Sequence, residues 1–257
     1  MDFEVCFLPR EATRQPSPVA VLIDVIRAST TIVTLLDRGG SEVVLIGQRD
    51  RPKIGELRRR LDALVCAEDS SGVKAADADL TPSPAALHTL DLTGRRVILA
   101  TTNGTLAAEL VRDCGVEHLL IGCMRNGAAV MRSAVARAQR LGRSISLVCA
   151  GREQSLIPAL DDAYCAAALL RRGEELVLAG GGAVTLRESA KIARNAASVF
   201  AGTREAFDQS MSAGIVRRIG SPDDVAYCAE EDVSDLVPVV TFGTGIPAIV
   251  VKKEIKA

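Results

Sequence analysis

The chain has 257 residues, 48% of them hydrophobic, 25% charged and only 3% aromatic, with no Trp and a formal net charge of −1. The apolar content is enough for one large α/β domain with a core of Val, Leu, Ile and Ala, while the near-neutral charge and the scarcity of rings exclude a basic nucleic-acid surface or a stacking platform for single strands. Seven cysteines without a CxxC pair, and a start of Met-Asp-Phe-Glu without a basic or long apolar stretch, lead us to expect reduced thiols in a cytoplasmic protein with no signal peptide and no membrane span.

In chain order, β-rich runs predict strands at 5–8, 19–24, 42–46, 63–66, 97–101, 118–121, 144–149, 237–242 and 248–251. Helical patterns alternate with them at 28–38, 51–60, 104–113, 127–141 and 158–171, and three more follow at 183–200, 203–212 and 222–229. Strand–helix alternation with short connections predicts an α/β fold, a mostly parallel sheet with helices on both faces. Three stretches break the rhythm. Residues 68–84 are polar with two prolines and read as a long loop, a feature that is often functional. Residues 151–158 form another loop directly after a strand. Residues 172–183, with Gly173 and Gly180-Gly181-Gly182, are the best candidate for a subdomain boundary in what otherwise reads as a single domain over 1–257.

Two strand ends share one design. Val19-Ala20-Val21-Leu22-Ile23 runs into Asp24-Val25-Ile26-Arg27-Ala28-Ser29-Thr30-Thr31, and Arg96-Val97-Ile98-Leu99-Ala100 runs into Thr101-Thr102-Asn103-Gly104-Thr105. Ligands of parallel α/β sheets sit at carboxyl ends of strands, where a helix N-terminus offers free N–H groups to an anion. A carboxylate at the end of an apolar strand is costly unless paired or bound to a cation. Asp24 is therefore either half of a structural pair with Arg27 or a Mg²⁺ ligand, with Arg27 clamping an anionic oxygen. Thr30 adds a hydroxyl near the same helix start. Asn103 fits an N-cap, and Gly104 lets the backbone approach a ligand. Asn126 follows the next strand and caps a helix. Arg152, Glu153, Asp161 and Asp162 add charge beyond Cys149-Ala150-Gly151, and either aspartate could be a second metal ligand. Asp77-Ala78-Asp79-Leu80-Thr81 fits a D-x-D-x-T phosphatase nucleophile motif, but 72–76 makes a poor strand before it, so a solvated loop is the better reading.

Asp24-Val-Ile-Arg27-Ala-Ser-Thr30-Thr31, Thr101-Thr-Asn-Gly-Thr105, Cys149-Ala-Gly151 and Asp224-Val-Ala-Tyr-Cys228 resemble the 2-phosphosulfolactate phosphatase (ComB) family. The resemblance spans about residues 19–238. It implies a Mg²⁺-dependent phosphatase releasing phosphate from 2-phospho-3-sulfolactate, a step toward coenzyme M, on a family-specific α/β fold. By motif, it places Asp24, Arg27, Thr102, Asn103, Gly104, Asn126 and Asp162 at the site, and Glu68 at an acidic position opening the long loop. This chain departs from the pattern there: the loop reads Glu68-Asp69-Ser70-Ser71 and ends Leu80-Thr81-Pro82-Ser83-Pro84, where the family has a Gly/Arg-rich stretch ending Gly-Asn-Ser-Pro.

The expected mechanism has Mg²⁺ on Asp24 and a second carboxylate, Asp162 or Glu68, with Arg27 and the 102–104 N–H groups on the phosphoryl oxygens. Arg152 or Arg125 would hold the substrate's sulfonate or carboxylate. With no nucleophile elbow in the sequence, attack by a water held on the metal is favoured. The partner is a small phosphorylated acid, with no nucleic acid and no membrane, and a homo-oligomer is expected on general grounds. The competing reading is a non-catalytic protein that binds or senses such an acid. A nucleotide-binding enzyme is weaker still, since no G-x-G-x-x-G or P-loop motif follows a strand.

Overall fold

The computed structural model describes residues 1–13, 17–69, 72–101, 103–142, 144–243 and 249–254. The first half holds β1 (Asp2–Cys6), β2 (Val19–Ile23), α1 (Ala28–Asp37), β3 (Glu42–Ile46), α2 (Ile54–Leu61), β4 (Ala63–Ala67), α3 (Pro84–Leu87), β5 (Arg96–Ala100) and α4 (Asn103–Arg112). Then come β6 (His118–Gly122), α5 (Gly127–Leu141), β7 (Ile145–Cys149), α6 (Leu160–Ala179), β8 (Thr185–Leu186) and α7 (Glu188–Ala197). The chain ends with α8 (Thr203–Asp208), α9 (Met211–Arg218), α10 (Asp223–Cys228), β9 (Pro238–Phe242) and β10 (Ile249–Lys253).

All ten strands form one sheet in the order β4-β5-β3-β10-β9-β6-β2-β7-β1-β8. Pairing is parallel within β4-β5-β3 and within β6-β2-β7-β1-β8. The late hairpin β9-β10 is wedged between the two blocks and pairs antiparallel on both sides. Three antiparallel steps in a row make the blocks run in opposite directions, so the ends of β2 and β5 would lie at opposite edges of a flat sheet. Twist brings them together: five steps separate β2 from β5, and roughly 20–25° per step turns one against the other by roughly 100–125°.

Side-chain alternation follows the period of two. In β2, Val19, Val21 and Ile23 face a core under α5 and α6, while Ala20 and Leu22 face the opposite side. That opposite core also takes Val43 and Leu45 of β3, Val97 and Leu99 of β5, and α1 and α4 residues such as Leu35 and Ala108. One continuous core therefore lines the hollow of the curled sheet. Behind β3-β5-β4, Ile98, Val65 and Val44 pack on Ile54 and Leu57 of α2.

The exposed edge of β4 is covered by the loop after it. Leu80 donates its N–H to Val65 O at 2.9 Å, Ala75 donates to Ala67 O at 3.0 Å, and the Asp79 carboxylate accepts from Val65 N at 2.8 Å. Asp79 also pairs with Arg58 at 2.7 Å. Its carboxylate closes a sheet edge and Asp77 is exposed, as the solvated-loop reading of D-x-D-x-T expects.

Several segments differ from the sequence expectation, and the strand placed at 5–8 is β1 at Asp2–Cys6. The helix placed at 158–171 runs as α6 from Leu160 to Ala179; Gly173 lies inside it, where a Cβ would meet the Phe3 ring and Met131 Cε at 2.8 Å. The segment placed as a helix from 183 first pairs beside β1 as the short strand β8. The helix α9 falls largely in residues 213–221, which the sequence pattern leaves unassigned. Ala248, the expected start of the last strand, lies outside the described residues. Among the described residues no helix is long and apolar enough to cross a membrane, and the cysteines are free thiols, all buried except the half-buried Cys114.

Candidate active site

The β2–α1 and β5–α4 junctions touch. A Cβ built on Gly104 would lie 2.9 Å from Ala28 Cβ and 3.0 Å from Asp24 Oδ2, so only glycine lets the two helix starts approach this closely. Beside the contact opens a cavity of about 230 Å³, sized for a small metabolite. Asp24, Arg27, Glu68, Asn103 and Arg152 all line it, together with Thr101, Glu153, Gly72, Pro82 and a stripe of α9.

Asp24 keeps one face open to this cavity. Its Oδ1 accepts from Ala28 N at 3.3 Å and its own N–H donates to Ser29 Oγ at 3.2 Å. Burial raises its pKa well above the usual carboxylate range, and the nearby Asp161 and Glu68 charges add to that. Arg27 is held from two sides, Nη2 donating to Glu68 at 2.7 Å and Nη1 to Asp224 at 3.2 Å. Asp224 is fully buried and accepts from Ser83 Oγ at 2.7 Å and Ala85 N at 3.1 Å. Nη2 also donates to Gly72 O at 3.5 Å, and a guanidinium has five N–H groups, so the fork keeps donors beyond these three contacts. Burial raises the Glu68 pKa, against the pull of Arg27.

Asn103 is the first residue of α4, and its Oδ1 accepts from Gln154 N at 3.0 Å. It therefore ties α4 to the loop after β7 instead of capping its own helix, and its amide remains at the cavity wall. That loop turns sharply: Gly151, Glu153, Gln154 and Ser155 all have positive φ. It carries Arg152 to the cavity lining; the Arg152 Nε itself is buried and has no hydrogen-bond partner among the described residues.

Other expected residues have structural tasks. Asp162 is buried, and its two oxygens accept from Val25 N at 2.9 Å and Gly151 N at 3.0 Å. The pair of bonds staples the β2–α1 loop to the β7–α6 loop and leaves Asp162 out of the cavity lining. Thr30 donates to Val25 O at 2.8 Å inside the core. Asn126 turns back, accepting from Cys123 N at 2.9 Å and donating to Ile121 O and Leu236 O. Arg125 lies 3.7 Å above the Tyr227 ring and pairs with Glu230, away from the cavity. Thr102 lies outside the described residues. Gly104 acts through the close approach just described.

The wall that the sequence reading missed is α9. Ser212, Ile215, Val216 and Ile219 recur at helical spacing and all line the cavity, but the segment is short and broken by Gly214 and Arg217-Arg218, which hid the pattern. Asp224 was visible only as part of a motif without a task.

Behind Ser212 sits Asp161, whose Oδ1 accepts from Ser212 Oγ at 2.9 Å. Burial raises the Asp161 pKa as well. A raised folded-state pKa gives stability that is full at acid pH and lost as pH climbs above the ordinary carboxylate range of about 4. Asp161→Asn, which keeps an acceptor for Ser212, is expected to raise the metal-free Tm at pH 8 and to leave it unchanged near pH 3.5. A Tm at pH 8 no higher than wild type would show that Asp161 carries no such strain.

Among the described residues no three His, Cys, Asp or Glu side chains converge as a ready-made metal cage. Asp24 and Glu68 both line the cavity, and Asp161 and Asp162 lie within electrostatic reach of Asp24. This donor set fits Mg²⁺, which takes one or two carboxylates and completes its shell with waters and substrate oxygens.

The sequence profile of 2-phosphosulpholactate phosphatase matches residues 6–243. A probable 2-phosphosulfolactate phosphatase of Deinococcus radiodurans is 33% identical over 230 residues, covering 90% of each chain. Proteins of the same name from Thermus thermophilus (29% identical, 95% of this chain and 97% of that one) and Synechocystis sp. (30%, 93% and 95%) match over similar lengths.

Proposed function

The chain belongs to the 2-phosphosulpholactate phosphatase family and is a phosphoric monoester hydrolase, and we propose that it is a Mg²⁺-dependent enzyme that hydrolyses a small 2-phosphorylated hydroxy acid, 2-phospho-3-sulfolactate or a relative of it. The observation that carries this reading is the cavity where Asp24, Arg27, Asn103 and Glu68 from separate elements meet at the start of α4.

Hydrolysis of a phosphate monoester is mainly positioning and charge stabilisation. Asn103, the first N–H groups of α4 and the uncommitted N–H edges of Arg27 receive the phosphoryl oxygens. Arg152, which lines the cavity, takes the carboxylate. Asp24 and Glu68 would hold Mg²⁺, which when bound neutralises charge on the phosphoryl oxygens. In this reading water adds to phosphorus, the ester P–O bond breaks, and the leaving oxygen takes a proton to give the free hydroxyl of the product acid.

The test is phosphate release from 2-phospho-3-sulfolactate and 2-phospholactate with Mg²⁺, then with EDTA. Release that EDTA stops and Mg²⁺ restores is expected. Tight calorimetric binding of these acids without any release would replace the enzyme by a binding protein. Within the same account, Gly104→Ala forces Ala28 and Asp24 apart. A misplacement of about 1 Å costs on the order of 10²-fold, so kcat/KM should fall by about that much while the protein stays folded; wild-type kcat/KM in Gly104→Ala would remove the junction from the site.

A further inference from the structure

The loop after β7 is built inside out. It closes as one turn, Leu156 N donating to Arg152 O at 3.0 Å, and its base is fastened by Arg152 N donating to Ile157 O at 2.7 Å. Inside the turn Glu153, Gln154 and Ser155 have φ of 51°, 58° and 60°. The turn is therefore left-handed, a conformation that costs L-residues energy and that they adopt singly, not in runs. Burial is inverted as well. Ser155 is 1% exposed, yet its Oγ has no hydrogen-bond partner among the described residues, and neither does the Arg152 Nε. Leu156 beside them is 60% exposed. Such a segment persists only where its surroundings hold it. Among the described residues, the hydrogen bond that ties these three left-handed residues to another element is Gln154 N donating to Asn103 Oδ1 at 3.0 Å.

A second set of exposed apolar groups stands at the same cavity mouth. Arg152 and Glu153 line the cavity together with Ser212 and Ile215. Ser212 Oγ donates to Asp161 Oδ1 at 2.9 Å, which pins the start of α9 beside the start of α6. Met211, 57% exposed, and the more sheltered Ile215 project from α9 there, and Leu160 from α6. Resting on the phosphatase reading above, we infer that residues 152–157 are a strap with two states. One is the left-handed turn, latched open by Asn103. The other is a right-handed turn that keeps the Leu156 N–Arg152 O bond, frees the Ser155 hydroxyl and lays Leu156 against Met211 and Ile215 over the cavity. The release is Asn103 itself. Its amide receives the phosphoryl group in that reading, and turning to the ligand takes Oδ1 away from Gln154 N. Relief of the left-handed backbone and burial of leucine then favour the closed state. A ligand shifts this equilibrium because it binds the unlatched state better, and closure holds it in place during the reaction.

The chain has no Trp, so Leu156→Trp places a single fluorescent reporter on the strap. Its emission and its quenching by acrylamide are read in the full chain with Mg²⁺, before and after inorganic phosphate, while calorimetry follows phosphate binding to the same variant. The reporter is expected to be exposed at first, then to shift to the blue and lose most of its quenching as phosphate saturates. Gln154→Val in that background puts a β-branched residue where the left-handed turn excludes it, and should give the shifted emission with no ligand present. Gln154→Gly, at ease in that turn, should keep the reporter exposed until about five-fold more phosphate is added, the scale of one relieved left-handed residue. A reporter that stays exposed with phosphate bound, or one that Gln154→Val leaves unmoved, overturns the strap and leaves the phosphatase reading intact. No phosphate binding by calorimetry removes the phosphoryl site of that reading and this inference with it.

Discussion

Asp24→Asn is expected to abolish the proposed Mg²⁺-dependent phosphate release, by about 10³-fold or more, in a protein that stays folded. The size follows from removing the one carboxylate that faces both the cavity and the β5–α4 junction, since losing a single group aimed at developing charge costs about 3–4 kcal/mol, or two to three powers of ten, and loss of the metal adds to it. The fold survives for a local reason. Asn keeps an oxygen to accept the Ala28 N–H now bonded to Oδ1. It also removes a buried charge whose neighbours, Asp161 and Glu68, are of the same sign. Unfolding midpoint, metal affinity by calorimetry and turnover should therefore separate: the first unchanged or higher, the other two lost. A folded Asp24→Asn that still turns over would end the metal role of Asp24.

Arg27→Met is expected to have the second large effect, on stability as well as rate. Arg27 is the shared partner of Glu68 and of Asp224, which has no exposed surface. Removing one partner of a buried pair costs about 3–5 kcal/mol because a charge is left uncompensated, a large part of the 5–15 kcal/mol that holds a typical domain together. The double variant Arg27→Met/Asp224→Asn should recover much of that loss, since it removes the orphaned charge, and recover none of the activity. Equal stabilities for wild type and Arg27→Met would show that the pair contributes little. Activity regained in the double variant would show that Arg27 acts only as a strut.

The strands were legible because β2, β5 and β7 are short apolar runs that end in polar knots, and such runs are unambiguous when buried on both faces. What the sequence could not disclose was direction. The wedge of β9 and β10 between the two parallel blocks depends on pairings across nearly the whole chain, and it makes β2 and β5 converge by twist instead of by sharing an edge. The lining of the candidate cavity was legible where chemistry is rare: Asp24, Arg27, Asn103 and Glu68, which all line it, are polar groups at places where an apolar fold does not need them. It was misread where a polar group serves the backbone. Asp162 looks like a ligand in sequence, yet its two oxygens hold Val25 N and Gly151 N, and Asn126 does the same for Cys123 N. The Asp162 bond to Val25 N and the Asn126 bond to Leu236 O link segments far apart in the chain and leave no local pattern. The α9 stripe was hidden for the opposite reason: two turns of helix carrying Gly214 give too few apolar positions for a period to stand out, although they supply one wall of the cavity.

The most direct measurement is an anomalous difference map from a crystal grown with Mn²⁺ in place of Mg²⁺ and with inorganic phosphate. The account predicts a metal peak bonded to the Asp24 carboxylate, with phosphate between it and the Asn103 end of α4. A protein that releases phosphate but binds its metal and phosphate elsewhere, with the Asp24 cavity empty, would contradict it.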